Sequence, residues 1–190
     1  VIGPYDTESQ PGATYAYALP NSSLGENLLA NPSFEQWQWS ETEGVPTLPT
    51  GWQGAGQLIA GRAIRAGSPS QVKDGAWFMV THTAGSGCHV TQVVDTRVHN
   101  LNGKELVFSC WIRDSYRNSG RLMLSDGEEE IRSDYHSGSG QWELLSLSHR
   151  VSKDASFITV YLVNEKEDDT AFDQARLSLK GEELTKVTQS

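Results

Sequence analysis

From residue 27 onward the chain alternates between apolar and polar positions in short runs. In 106–113, Phe108, Cys110 and Ile112 fall on one side and Ser109, Trp111 and Arg113 on the other. In 157–163, Ile158, Val160 and Leu162 share a side, with Phe157, Thr159 and Tyr161 opposite. A period of two over such lengths is the mark of a half-buried β-strand, and the aliphatic side is the one that packs. Similar runs predict strands at 27–30, 34–39, 52–60, 75–83, 88–96, 104–113, 120–125, 129–133, 141–149, 155–163 and 171–180. Turn residues punctuate them, as at Asn102-Gly103, Asp126-Gly127 and Ser137-Gly-Ser-Gly140. Pro46 and Pro49 predict a loop over 40–51, and 61–74 also reads as loop. No apolar stripe holds a helical period over three turns. The expected fold is therefore all-β, two antiparallel sheets closed as a sandwich or barrel.

Length and composition refine this picture. A chain of 190 residues suits one domain with tails. Residues 1–26, with Pro4, Pro11, Gly12 and Pro20, read as a linker or N-terminal arm, 27–180 as the domain and 181–190 as a C-terminal tail. Val1 in place of Met fits a processed or excised fragment. A net charge of −9 argues against a nucleic-acid partner. No apolar run reaches the ~20 residues of a membrane-spanning helix, so no membrane insertion by this segment is expected. Cys88 and Cys110 do not make a disulfide framework; the pattern leaves open whether they are bridged.

Several short motifs occur in a fixed order. They are Asn27-Leu-Leu-Ala-Asn-Pro-Ser-Phe-Glu35, Leu48-Pro-Thr-Gly-Trp52, Gly75-Ala-Trp-Phe-Met-Val80, Val90-Thr-Gln-Val-Val94, Leu106-Val-Phe-Ser-Cys-Trp-Ile-Arg113, Trp142 after a Gly-rich turn, and Phe172-Asp173. This ordered set resembles the carbohydrate-binding modules of galactose-binding-like jelly-roll fold. The resemblance covers about 27–180 and implies a two-sheet jelly roll. It further implies a non-catalytic domain that binds glycan as part of a larger extracellular, cell-surface or virion protein. It also implies a structural calcium held by Glu35 and Asp173, with carbonyls of Ser33 and Lys73. The alternative for the two acids is plain hydrogen bonding or pairing with Arg176 or a lysine.

Ligand-binding candidates follow from alternation and from ring chemistry. Trp111, Arg113 and Tyr161 lie on non-core sides of their strands, while Trp77 and Tyr135 sit in or beside loops. Aromatic rings stack on the C–H faces of sugars, and flanking polar groups read hydroxyls. These five residues are the expected site. Catalysis is unsupported by the sequence. There is no Gly-x-Ser-x-Gly elbow and no phosphate-binding lysine loop, and the acids of Asp126-Gly-Glu-Glu-Glu130 lie on a polar turn rather than across a cleft. The competing expectation is a structural or adhesion module of a phage tail or membrane-protein ectodomain, without sugar binding.

Overall fold

A computed structural model describes residues 25–39, 46–65, 73, 75–166 and 169–180. Ten strands form: β1 (Trp37–Trp39), β2 (Pro46–Pro49), β3 (Gln53–Arg65), β4 (Trp77–Asp95), β5 (Glu105–Arg113), β6 (Gly120–Ser125), β7 (Glu130–Arg132), β8 (Trp142–Arg150), β9 (Phe157–Asn164) and β10 (Asp169–Leu179). All pairings are antiparallel, and the strand order is β7-β6-β9-β4-β10-β5-β8, with β3 alongside β4.

The long strand β4 belongs to both halves of the sandwich. Its first part, Met79–His82, pairs with β10; its last part, Cys88–Asp95, pairs with β9. One half is thus β4-β10-β5-β8 and the other β4-β9-β6-β7. The sequence suggests two strands, 75–83 and 88–96, separated by a glycine turn. The chain instead continues as one strand through Gly85 and Gly87: β3 pairs with β4 on both sides of them, and where β3 advances two residues, from Gly56 to Leu58, β4 covers five, from Cys88 to Thr83, so the glycines lie in a bulge. For the same reason 61–65 is strand rather than loop. The expected loop at 40–51 contains β2, which tolerates its prolines because it pairs only with β1 in a two-stranded sheet. The expected strand at 27–30 makes no ladder; it is tied to β10 by Leu28 N–H to the Leu177 carbonyl (2.8 Å) and by the Asn27 side chain.

Both halves bury their aliphatic sides in one cluster. Phe108, Cys110 and Ile112 of β5 and Ile158, Val160 and Leu162 of β9 are each fully buried in it. Leu122 and Leu124 of β6 and Leu177 of β10 complete it, and β5 and β8 pack across it against β6. The alternation seen in the sequence is therefore the division between core and surface. At the opening motif, Trp52 and Phe34 are buried with ring centroids 5.4 Å apart, and the Trp52 indole N–H reaches the Ala30 and Asn31 carbonyls. Trp52 is thus a core residue that also satisfies its polar atom. Cys88 and Cys110 are both free thiols and buried, and burial raises both of their pKa values, so they act as small apolar residues.

Candidate functional site

Two surfaces lie outside the core, one on each half, and the expected site residues divide between them. On the β4-β9-β6 half, register alone sets the layout. Tyr161 sits opposite Thr91 on one side and Met123 on the other, and Val163 sits between His89 and Arg121. Cross-strand partners share a face, so these side chains all point away from the core. The His89 and Tyr161 rings meet edge-on with centroids 5.4 Å apart. Burial lowers the His89 pKa, so the imidazole is neutral at pH 7 and offers both a donor and an acceptor.

Beside this ring pair lies a charged network. Arg121 is ion-paired with Glu165, and its guanidinium lies 4.5 Å from the Tyr135 ring centroid. Tyr135 donates its hydroxyl to the other Glu165 oxygen at 2.5 Å. That bond raises the Tyr135 pKa and keeps the phenol protonated. Glu165 follows directly on the last residue of β9, Asn164, where its N–H bonds the Ser119 carbonyl at 3.2 Å. Arg121 is diagonal to Tyr161 across the β6–β9 pair, and such neighbours are about 7–8 Å apart. An aromatic platform thus stands next to a fixed set of donors and acceptors. Tyr161 and Tyr135 of the expected five meet here. Arg121, Glu165 and His89 are additions. In the sequence Glu165 reads only as the first acid of the run Glu165-Lys-Glu-Asp-Asp169, which gives no sign of its pairing with Arg121 and Tyr135.

Trp111 and Arg113 lie on the other surface, over β5. Arg113 stands between Phe78 and Trp142, 5.3 and 5.0 Å from their ring centroids, and these rings form a small apolar patch with Val80 and Ala171. Its charge is held by cation–π contact. Trp111 pairs with Asp173 and Leu144, and the Lys73 ammonium lies 3.9 Å from its ring centroid. Trp111 and Arg113 are therefore not gathered with Tyr161. Trp77, half-buried at the start of β4, makes no ring or cation–π contact with either group among the described residues.

The acids of the opening and closing motifs converge on one turn. Glu35 Oε1 accepts the Ala76 and Trp77 N–H groups at 2.9 and 3.0 Å, and Asp173 Oδ2 accepts the Lys73 N–H at 2.7 Å. Gly75 sits there at φ 64°, a left-handed conformation that favours glycine, and its lack of a Cβ leaves room for the Glu35 carboxylate, whose Oε1 would otherwise lie 2.0 Å from it. Two carboxylates brought to one turn suit a hard cation, which takes oxygen ligands. Among the described residues no group of three or more His, Cys, Asp or Glu side chains is placed to hold a metal, so carbonyls would have to supply the rest of the shell.

With the geometry in hand, comparison with solved structures places the architecture. The module TmCBM61, solved in complex with β-1,4-galactotriose, matches with a TM-score of 0.61 and 19% identity over 82% of this chain and 99% of its own. The fold is the jelly roll of carbohydrate-binding modules. The CBM22-1 xylan-binding domain of Paenibacillus barcinonensis Xyn10C matches at TM-score 0.54 and 15% identity, over 83% of this chain and 97% of that one. The enzymatically active domain of bacteriophage CBA120 tailspike protein 4 matches at 0.51 and 12%, over 80% of this chain but 21% of that one. No family model and no curated protein matches the sequence.

Proposed function

We propose that this chain is a non-catalytic carbohydrate-binding module that holds a neutral β-linked oligosaccharide on the outer face of the β4-β9-β6 half. One observation carries the reading: the Tyr161–His89 ring pair stands beside the Arg121–Glu165–Tyr135 network, on a face that the core does not use. Tyr161 supplies the stacking surface. Glu165, Arg121 and neutral His89 supply hydroxyl partners held in place before the ligand arrives, which reduces the ordering cost of binding. Neighbours of the same fold, solved with galactotriose or described as xylan-binding, support this ligand class. Attachment to a larger extracellular or virion protein would let a weak single site act through multivalency.

Tyr161→Ala is expected to weaken binding of β-1,4-galactotriose or xylohexaose by about 1–3 kcal/mol, the worth of one buried ring, without lowering the melting temperature. Isothermal titration calorimetry reads this directly. Undiminished affinity in the variant would move the ligand elsewhere, and a wild-type chain that binds no glycan would favour the structural-module reading.

We further propose a structural calcium between the two motif acids, held by Glu35 and Asp173 with carbonyls of Ser33 and Lys73. Bound metal stabilises by mass action. Excess chelator should lower the melting temperature, and Asp173→Asn should remove that sensitivity. A melt indifferent to chelator, with no metal by elemental analysis, would reject the site.

A further inference from the structure

A groove of about 330 Å³ lies over the β10-β5-β8 surface, on the opposite side of the sandwich from Tyr161. Beside it β10 bulges. Between Asp173 and Arg176 the strand advances three residues while its partner β5 advances two, from Trp111 to Ser109. The extra residue, Gln174, is held at φ 50°, a conformation costly for a side chain with a Cβ. The groove is bordered by Trp111, Leu144, Ser109, Gln174, Arg176 and Ser33. Leu144 is 53% exposed, a large apolar side chain left in solvent beside an indole. The Gln174 amide and the Ser109 hydroxyl are engaged by no side-chain hydrogen bond among the described residues.

The electrostatics of this surface run against those of the chain. Net charge is −9, yet no Asp or Glu borders the groove among the described residues. Arg176 spends one N–H on the Gly25 carbonyl at 2.7 Å and is in no ion pair among the described residues. The Lys73 ammonium rests on the Trp111 ring, likewise without a carboxylate partner among them. Asp173, the acid next to them, is fully buried and gives its oxygens to the Lys73 and Gln174 N–H groups. An indole edge, an amide, a hydroxyl and two cations therefore surround a cavity of small-ligand size.

We propose that this groove is a second glycan site, independent of the Tyr161 face, that takes a carboxylate-bearing pyranose: a uronic acid unit of an acidic polysaccharide. The pyranose ring would lie against Trp111 and Leu144. Its carboxylate would meet the Arg176 guanidinium, whose planar fork suits a carboxylate, with Lys73 contributing a second charge. Gln174 and Ser109 would read hydroxyls.

The test is calorimetric titration of the full 190-residue chain with tri-galacturonate and, separately, with β-1,4-galactotriose. Arg176→Gln should weaken tri-galacturonate at least tenfold and leave galactotriose unchanged, and Tyr161→Ala should do the reverse. Leu144→Glu alters an exposed position and adds a negative charge at the groove. It should also abolish tri-galacturonate binding, and it guards against an Arg176 variant that fails to fold. Tri-galacturonate binding that survives both groove variants, or that is lost in Tyr161→Ala, would overturn the second site, as would a wild-type chain that does not bind it. Failure of galactotriose alone would refute only the neutral-glycan reading.

Discussion

Asp126→Ala is expected to cost the domain about 3 kcal/mol or more, since each buried donor left unsatisfied costs about 1–3 kcal/mol. Asp126 is 2% exposed. Its Oδ1 accepts the Glu128 and Glu129 N–H groups at 3.0 and 2.9 Å, while its Oδ2 accepts His149 Nε2–H at 2.8 Å, Ser152 N–H at 2.9 Å and the Ser152 hydroxyl at 2.6 Å. Alanine would leave these donors unsatisfied around a buried histidine, and unmet buried donors are what make such losses large. Burial by itself raises the Asp126 pKa, but the bonds from Ser152, His149 and the backbone outweigh it and hold the carboxyl well below the usual carboxylate range. The sign then follows. A carboxyl whose folded pKa is depressed contributes stability above its unfolded value near 4 and loses it as pH falls toward the folded one. Urea unfolding of wild type and Asp126→Asn should therefore show a stability gap that narrows below about pH 4. A variant within 1 kcal/mol of wild type at pH 7 would disprove the role.

The second large effect concerns Gly138. Its φ is 78°, and an added Cβ would lie 2.6 Å from the Arg117 backbone nitrogen and 2.8 Å from the Tyr116 carbonyl carbon. Backbone atoms do not move aside cheaply. Gly138→Ala should combine a left-handed penalty of about 1–2 kcal/mol with an overpacking penalty of about 1–3 kcal/mol. Gly103 provides an internal control: its φ is 73°, but nothing lies within 4 Å of its added Cβ. Gly103→Ala should show the backbone penalty alone. Equal urea midpoints for the two variants would refute the steric argument. The loss should be local in origin, since Gly138 lies in the loop whose Ser137 and Ser139 hydroxyls bind Glu143 at the start of β8.

The parts of the fold that were legible in the sequence are those set by period two. Phe108, Cys110 and Ile112, and Ile158, Val160 and Leu162, announce the core without any knowledge of the partner strands. The opening and closing acids were legible because their motifs sit at the two ends of the domain, and the structure brings Glu35 and Asp173 to the same turn. Strand continuity was not legible. Gly85 and Gly87 look like a turn in the sequence, and only the unbroken partner β3 makes them a bulge. Nor could alternation say which half of the sandwich a strand joins. It put Trp111 and Tyr161 both outside the core, but the strand order sends them to opposite surfaces. The Asp126–His149 contact spans 23 residues and left no local trace, because Asp126-Gly127 reads simply as a turn.

The tie between the opening segment and β10 has a mechanical consequence. Asn27 and Leu28 are bonded to Ala175 and Leu177, and the Lys180 N–H to the Glu105 carbonyl, so the described chain enters and leaves along one flank. A domain attached through both ends would hang from its tether like a pendant, leaving both broad surfaces open to ligand. Tension arriving at the C-terminal end would load β10, which is laced to β4 on one side and β5 on the other. Pulling it out requires both ladders to give way together, whereas the opening segment, held by a few bonds, would peel first. Such a module would yield in two steps under load, and the sheet of β4, β9 and β6 would be the last part to come apart.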